Sequence, residues 1–438
     1  MLYDAADKSS IEKYAKRLLN KSLCDMFPEV ASISKKGKGG LGQKVEEFYF
    51  GYKPNSYSQP DFPQAGVELK TCPLKKTSKG LRAKERVVLN IIDFMQEHKS
   101  TFETSSFWKK NKLLLMMFFL YLNDVPDVEF IFKYIFLWQY PNKDLEIIKN
   151  DWATIVSKIR DGRAHELSEG DTLYLGACTK GSKGGLSSNF REQPFNTIKA
   201  PQRAYSLKPS YVNSIIEQYT NSADYESLVS SDDLKIKSFE ELIIDKFKVF
   251  YGKSINEIAE NLGVSIGVSK DKVATLCRAV LGVSNKRKIE EFEKADIQMK
   301  TIPINSLGTP IEEMSFKQIS YKEILNEEWE SSYWHDALTK RFFFVVFEEI
   351  NGVSILRKAM FWTMPYEDLQ LAKKFWEDTR FKIANDDFDN FIKSSDGLPC
   401  FVRTKGRNSN DVMETPSGRM ERKRGYWISR SYIKKIIS

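Results

Sequence analysis

The sequence has few of the residues that form disulfides, metal clusters or nucleophilic triads. Its five cysteines lie far apart without a CxxC pair, and only three histidines occur in 438 residues. This pattern argues against a disulfide-stapled secreted domain and against a structural zinc site. So few histidines leave little scope for zinc catalysis or Ser–His chemistry. Isolated cysteines are typical of the reducing cytoplasm, which is the location we predict.

From the sequence we also expect neither a signal peptide at the first residues nor a membrane-spanning run. The first residues, MLYDAADKSS, do not have the pattern of a signal peptide. The most apolar stretch, Leu113–Leu122 (LLLMMFFLYL), is too short to cross a bilayer and predicts a core strand. We therefore expect no association with a membrane.

What is present is a globular composition with a mild excess of positive charge. Hydrophobic residues make up 41% of the chain, and the formal net charge is +8. Such an excess is compatible with a polyanionic partner, although it is weak evidence by itself. A chain of this length exceeds one ordinary core, so two domains are the default expectation.

Four segments of the first half return in the second half in the same order. Phe136–Trp152 resembles Met360–Trp376, and both contain Asp-Leu-x-x-x-Lys-x-x-Trp after a proline, a spacing that predicts an amphipathic helix. The other pairs are NKSLCDM with GKSINEI, CTKG with RTKG, and YSLKPSYVNSII with YWISRSYIKKII. This repetition predicts a duplicated α/β domain, with copies at 1–220 and 239–438 and a polar linker at 221–238.

An acidic pair and a lysine lie at one end of a short apolar strand in the first copy. The segment DFPQAGVELKTCP carries Asp61, Glu68 and Lys70. Two carboxylates can converge as the hard oxygen ligands that Mg²⁺ prefers. Lys70 shares a strand face with Glu68 because side chains alternate, and a cation there can stabilise charge on a phosphorus centre. This PD…(D/E)xK pattern predicts a Mg²⁺ site for attack on a phosphodiester, although a bare match also occurs at ordinary solvated strand ends.

The flanking segments strengthen that interpretation. Upstream, GGLGQKVEEFYFG leads into a helix that carries Glu47, which could equally be a solvated helix residue. Downstream, seven basic residues lie between Lys70 and Arg86. They suit contacts with phosphates, or they form a solvated loop.

Taken together and in order, these segments resemble the MutH-type endonucleases, which include the mismatch-repair nicking enzyme and restriction enzymes that cut at GATC. The resemblance covers nearly the whole chain and is closest to the two-copy (type IIE) restriction enzymes. It rests on GQKVEEFYFG, DFPQAGVELKTCP, KERVVLNIIDF, FETSSF, DWATIVSKIRDGRAHELSEG, YLGACTKG and QRAYSLKPSY.

The resemblance implies a restriction-endonuclease-like fold and a Mg²⁺-dependent type II restriction enzyme. Such an enzyme would cut double-stranded DNA at GATC, leave 5′-phosphates and need no small-molecule cofactor. A dimer formed on DNA is compatible with it. The alternatives are a mismatch-repair nicking enzyme and a DNA-binding protein without catalysis.

The family's active-site positions fall on the residues of the motif and its neighbours. Asp61 and Glu68 would hold the metal, and Lys70 would act on the attacking water. Glu47 matches an upstream glutamate of the family. A further lysine of the family falls on Lys110, with its neighbours Lys109 and Lys112 left open as alternatives.

The resemblance also implies residues that contact DNA. Thr179 and Lys180 lie in the loop that would read base edges in the major groove, where a lysine can donate to guanine. Ser206, followed by Lys208, stands where the repair enzyme has a tyrosine that senses adenine methylation. A serine leaves room for the methyl group and predicts cutting whether or not the adenine is methylated. Alternatively, Ser206 is a strand residue far from DNA, and another side chain such as Tyr205 senses the methyl group.

In the second copy the same positions have changed. Glu68 becomes Gln298, Glu47 becomes Arg278, and Asp61 falls opposite Glu291, whereas Lys70 is kept as Lys300. The loop motif survives with Arg403 and Lys405. We expect a MutH-like domain that binds a second DNA site as an effector but has lost catalysis, or one that merely supports stability. Its segment 255–282 could form a DNA-reading helix-turn-helix or a plain helical lead-in.

Overall fold

The computed structural model describes residues 2–33, 40–54, 58–78, 80–180, 189–267, 271–284 and 287–438. The chain divides into two compact units. Unit 1 comprises Met1–Asp224, Ser230–Ile236 and Glu293–Ala295, and unit 2 comprises Tyr225–Val229, Lys237–Phe292 and Asp296–Ser438. Residues of the predicted linker 221–238 are divided between these units. Within the described ranges, no helix is long and apolar enough to cross a bilayer.

Unit 1 is a mixed α/β unit. Its helices are α1 (Lys8–Ala15), α2 (Leu23–Met26), α3 (Val30–Ile33), α4 (Leu41–Lys44), α5 (Phe94–Glu97), α6 (Ser106–Asn111), α7 (Asn142–Arg160), α8 (Pro209–Tyr219) and α9 (Ser231–Ile236). Its strands are β1 (Glu68–Thr77), β2 (Gly80–Ala83), β3 (Val87–Ile91), β4 (Leu114–Leu120), β5 (Phe132–Trp138), β6 (Leu175–Thr179), β7 (Phe190–Gln193), β8 (Asn196–Pro201) and β9 (Arg203–Leu207).

Two sheets form the framework of unit 1. The first has the order β2-β1-β4-β5, in which β1 runs parallel to β4 and β4 antiparallel to β5. The second is antiparallel, with the order β3-β9-β6, and β7 and β8 form a separate pair. Every residue of β4 is buried, which confirms the predicted core strand. A central parallel strand covered on both faces is expected to be continuously apolar.

Unit 2 has helices α10 (Phe239–Lys248), α11 (Ile255–Leu262), α12 (Lys272–Leu281), α14 (Tyr333–Leu338), α15 (Tyr366–Ala384) and α16 (Arg430–Ile437), and α13 (Glu290–Ala295) begins in it. Its strands are β10 (Tyr225–Glu226), β11 (Lys288–Ile289), β12 (Gln298–Ile304), β13 (Met314–Gln318), β14 (Phe342–Ile350), β15 (Val353–Trp362), β16 (Cys400–Thr404), β17 (Val412–Glu414), β18 (Met420–Arg422) and β19 (Arg424–Ile428).

The larger sheets of unit 2 have the orders β12-β14-β15 and β13-β19-β16. Strand β12 is parallel to β14, β14 is antiparallel to β15, and β19 is antiparallel to both of its neighbours. The segment 255–282 contains the two helices α11 and α12. Gly263, with φ +64°, caps the C-terminal end of α11. A role of these helices in reading DNA stays a prediction.

The helix predicted after Pro141 is α7, and one of its acids organises the loop before β6. Asp151 is 4% exposed and accepts hydrogen bonds from the backbone N–H groups of Leu173 and Tyr174 at 2.7 Å and of Leu175 at 2.9 Å. Burial raises the pKa of Asp151 to about 6, while these hydrogen bonds oppose the shift. One carboxylate thus satisfies three backbone donors that would otherwise be buried without acceptors.

Replacing Asp151 by Ala is expected to lower the free energy of unfolding by about 3–5 kcal/mol, because three buried donors lose their acceptor. Asp151→Asn, which keeps one acceptor oxygen, should lose less. Glu146→Gln on the same helix is the control, since the Glu146–Lys149 pair lies near the surface and contributes little. Denaturant unfolding of the three variants checks the order, and equal stabilities would contradict the anchoring role.

Candidate active site

A tight hairpin brings the two predicted metal-binding acids together. The backbones of Phe62 and Val67 exchange hydrogen bonds of 2.9 and 3.2 Å, and Gly66 takes a positive φ of +67° between them. Asp61 directly precedes Phe62 and Glu68 directly follows Val67, so this pairing places the two acids next to each other. The backbone N–H of Asp61 donates to Oε2 of Glu68 at 3.1 Å, and Oδ2 of Asp61 accepts from the N–H of Leu69 at 2.9 Å.

Glu68 is a buried carboxylate that faces two lysines. It begins β1 and is only 2% exposed. Lys70 donates from Nζ to Oε1 of Glu68 at 2.6 Å and to the carbonyl of Leu89 at 3.2 Å. The Nζ of Lys110 lies 3.7 Å from the same Oε1. Burial raises the pKa of Glu68 to about 7, and the charge of Lys70 opposes that shift.

Helix α6 shows which of three neighbouring lysines faces the acids. Ser105 caps the helix by accepting from the N–H of Trp108 at 3.0 Å. From this start, Lys110 is directed to Glu68, whereas Lys109 and Lys112 are exposed. Sequence spacing alone left the three open, and the facing of a short helix decides between them.

The upstream glutamate beside this cluster is Glu46, whereas the sequence prediction named Glu47. Residues Val45–Tyr49 form a π-helical turn, which holds more residues per turn than an α-helix. Glu46 is half-buried, and burial together with the charge of Asp61 raises its pKa to about 7, with Lys70 opposing. Glu47 is exposed. Glu47 is the residue that the sequence match assigned to the family's glutamate. Because the π-helical turn is wider than an α-helical turn, its neighbour Glu46 is the residue that faces the acids.

A buried polar network holds α6 in place, and no sequence pattern predicted it. Oε2 of Glu97 accepts from Oγ of Ser106 at 2.7 Å, and its Oε1 accepts from Nε1 of Trp152 and the hydroxyl of Tyr205, both at 3.0 Å. Glu97 is 2% exposed. It therefore ties the helix that carries Lys110 to α7 and to β9. No local pattern predicts it, because its partners are distant in sequence.

The residues of unit 1 predicted to contact DNA lie on the β3-β9-β6 sheet and its loops. Thr179 and Lys180 are exposed at the end of β6, and residues 181–188 of that loop lie outside the described part of the chain. Ser206 is 1% exposed in β9, between Val88 and Gly176, so its placement does not support contact with a DNA methyl group. Lys208 donates from Nζ to the carbonyl of Thr172.

The donor chemistry of this site suits a hard divalent cation that keeps part of its hydration. Asp61 and Glu68 offer only oxygen, as Mg²⁺ requires, with Glu46 nearby. Among the described residues, no group of three or more His, Cys, Asp or Glu side chains is arranged to hold a metal alone. A cation here would complete its shell with water and with oxygens of a phosphate, which is how Mg²⁺ is usually bound at phosphoryl sites.

Comparison with known proteins is consistent with this geometry in both halves of the chain. The family model "DNA mismatch repair enzyme MutH" matches residues 50–151 and 281–373. The type II restriction enzyme Sau3AI of Staphylococcus aureus is 34% identical over 98% of each chain. The mismatch repair protein MutH of Shewanella woodyi is 28% identical over 42% of this chain and 78% of its own, and that of Vibrio vulnificus (strain YJ016) is 28% identical over 43% and 81%.

The full-length match is to the restriction enzyme, whereas the repair proteins match less than half of this chain. Full-length similarity, with a family model that matches twice, favours the restriction enzyme over the single-copy repair protein. The chain therefore belongs to the MutH-related family of type II restriction endonucleases, and it is a site-specific deoxyribonuclease that acts on double-stranded DNA with a divalent metal ion.

Proposed function

We propose that unit 1 hydrolyses phosphodiester bonds at GATC sequences with Mg²⁺, and that unit 2 binds a second site as a non-catalytic effector. One observation carries the catalytic part: the buried Glu68 carboxylate, beside Asp61, with Lys70 at 2.6 Å and Lys110 at 3.7 Å. The GATC sequence follows from the resemblance of the motifs.

Each side chain of the site has a role in hydrolysis. Asp61 and Glu68 would hold the metal ion, which supplies a polarised phosphate and an acidified water. Lys70 is placed to orient the attacking water and to stabilise charge on the phosphate. Lys110 lies near the Glu68 carboxylate and adds positive charge. Glu46 adds a third carboxylate near Asp61 and Glu68. Attack of water breaks the P–O3′ bond, which leaves a 5′-phosphate and a 3′-hydroxyl.

The proposal that unit 2 is a copy of unit 1 rests on matching topology. In each unit a strand pairs parallel with a central strand, which pairs antiparallel with the next, and a 19-residue helix follows a proline. The turn before the first of these strands has a positive φ at equivalent places, Gly66 and Asp296. A shared unusual backbone conformation at one point of a shared topology supports common descent.

The side chains at the corresponding site of unit 2 do not form a metal site. Gln298 donates from its amide to Asp296 at 2.8 Å. Glu291 is 1% exposed and accepts from the hydroxyl of Ser227 at 2.7 Å and the N–H of Leu228 at 3.1 Å. Arg278, opposite the predicted Glu47, donates to the carbonyl of Ser284 at 2.6 Å.

The second lysine of the site is also missing from unit 2. Ser332 caps α14 as Ser105 caps α6, and five residues after each cap stand Ala337 and Lys110. These changes support a unit without hydrolytic chemistry. The retained loop residues Arg403 and Lys405 support DNA binding by it, because cations attract the phosphate backbone.

Glu68→Gln is expected to lower cleavage by roughly 10³-fold or more, because a neutral amide neither attracts the metal ion nor pairs with Lys70. Binding of the same duplex in a chelating buffer should persist. Single-turnover cleavage of a GATC duplex with Mg²⁺ is the measurement, and Glu85→Gln, at an exposed position in the same sheet region, is the control. Near-normal cutting by the Glu68 variant would remove the motif from the mechanism.

The neighbouring glutamates give a matched pair of variants. Glu46→Gln should slow cleavage by roughly 10²-fold, because it removes a carboxylate beside Asp61 and Glu68, whereas Glu47→Gln should cut at nearly the parent rate. Both rates are measured at saturating enzyme on one duplex. The reverse order would show that the π-helical turn does not decide which glutamate faces the site.

The effector role predicts a difference between one-site and two-site DNA. Changing Arg403 and Lys405 together to Ala should reduce the advantage of a two-site plasmid over a one-site plasmid, because unit 2 would lose contacts with the second site. Lys435→Ala, at an exposed position of α16, is the control. If the double variant keeps the whole two-site advantage, these residues are not part of an effector surface.

A further inference from the structure

The two units have an equivalent backbone carbonyl that accepts a hydrogen bond from a lysine. The donating lysine, however, comes from a different segment in each unit. In unit 1, Val87 of β3 pairs with Leu207; in unit 2, Met314 of β13 pairs with Ile428. Two residues further along stand Leu89 and Phe316. The carbonyl of Leu89 accepts from Lys70, the lysine of the motif, whereas that of Phe316 accepts from Lys405, the lysine of the loop.

The two loop lysines have equivalent backbones and different side-chain directions. The N–H of Lys180 donates to the carbonyl of Gln202, and that of Lys405 to the carbonyl of Lys423, both at 2.8 Å. The side chain of Lys180 is exposed, whereas that of Lys405 is half-buried against unit 2. The side chain of Lys405 therefore takes the place that Lys70 has in unit 1. It does not take the exposed place of Lys180, the lysine predicted to read the DNA groove.

A single glycine permits this inward path. A Cβ atom added at Gly425 would lie 2.8 Å from Cδ of Lys405, which is too close for a real side chain. The equivalent strand position in unit 1 is Ala204, which pairs with Cys178 as Gly425 pairs with Arg403. With an alanine at this position, a side chain that followed the path of Lys405 would have to shift away from the Cβ.

The inward side chain of Lys405 reaches the carbonyl of Phe316, at the place where Lys70 donates in unit 1. Lys300 stands at the position of Lys70 in the strand. Burial lowers the pKa of Lys405, and the nearby charge of Lys300 lowers it further. Gln298 replaces the carboxylate that would have neutralised these two cations. A pair of lysines without that acid is a site for an anion rather than for a cation.

We infer that the degenerate site of unit 2 binds a phosphate group of the DNA backbone between Lys300 and Lys405. The inference rests on the proposed binding of DNA by unit 2. It gives Lys405 a contact with the DNA backbone, so it adds affinity without sequence preference. A phosphate would relieve the repulsion between the two ammonium groups and replace the Phe316 carbonyl as acceptor.

Amine reactivity measured residue by residue tests the inference on the unmodified full chain. The chain is acetylated in a chelating buffer, with and without excess GATC duplex, and each lysine is quantified by mass spectrometry. We expect the duplex to protect Lys300 and Lys405 several-fold and to leave Lys322, which pairs with Glu414, unchanged. Inorganic phosphate at the same phosphate concentration should protect them much less.

The outcomes separate this inference from the proposal beneath it. Protection of other unit 2 lysines without Lys300 and Lys405 would overturn the phosphate site and leave DNA binding by unit 2 intact. Protection confined to unit 1 would overturn both. Protection of the two lysines by free phosphate but not by duplex would assign the site to another anion and overturn the inference.

A charge reversal provides a second test. Gln298→Glu restores the acid that unit 1 has, so it should pair with Lys300 and abolish the protection of Lys405 by duplex. Gln298→Met, of similar size and without charge, is the matched control and should keep the protection. Lys300→Gln should lower the slope of log affinity against log salt by about 1, as expected for one lost phosphate contact. Equal protection in the Glu and Met variants would contradict the site.

Discussion

A carboxylate buried at the start of a parallel strand is the constraint around which unit 1 is organised. Glu68 is almost inaccessible, and an isolated buried charge costs far more than a fold of ordinary stability can offset. Two lysines and a backbone N–H reduce that cost. The hairpin at Phe62–Val67 supplies the N–H, β1 supplies Lys70, and α6 supplies Lys110. The same arrangement suits a divalent cation, whose positive charge would then offset the buried carboxylate in place of the lysines.

Under the proposed duplication, unit 2 has the same framework without this buried acid. Gln298 then stands at the position of Glu68 and Ala337 at that of Lys110, so no charge at that position needs compensation. One contact of the Glu97 network has a counterpart in unit 2. Glu327 accepts from the N–H of Tyr333, the first residue of α14, as Glu97 accepts from the N–H of Ser106, the first residue of α6. In both units a carboxylate thus holds the start of the equivalent helix.

Local patterns in the sequence were enough for the elements and for the core of the site. The apolar run predicted β4, the proline-led spacing predicted α7 and α15, and the motif spacing placed Asp61, Glu68 and Lys70 together. What the sequence did not indicate depends on geometry that no local pattern contains. One π-helical turn places Glu46 beside the acids and leaves Glu47 exposed. The missing Cβ of Gly425 leaves room for the inward side chain of Lys405, and Ser206 is buried in its strand. Glu97 joins α6, α7 and β9, which lie far apart in the chain.

The proposed division of labour between the units rests on these few side chains. Unit 1 has two acids and two lysines around one point, whereas unit 2 has Gln298 at the position of Glu68 and retains Lys300 at that of Lys70. A scaffold that holds a phosphate beside a metal ion can hold a phosphate without one, because lysines alone attract the DNA backbone. The proposed loss of catalysis and the proposed retention of DNA binding by unit 2 thus require only small changes on one framework.

Digestion of a plasmid of known sequence with Mg²⁺, followed by sequencing of all ends, tests the account most directly. It predicts cuts in both strands at GATC, each end carrying a 5′-phosphate, and no cutting once the metal ion is chelated. Cuts at unrelated sequences, nicks confined to one strand, or cleavage that continues in the chelator would contradict it.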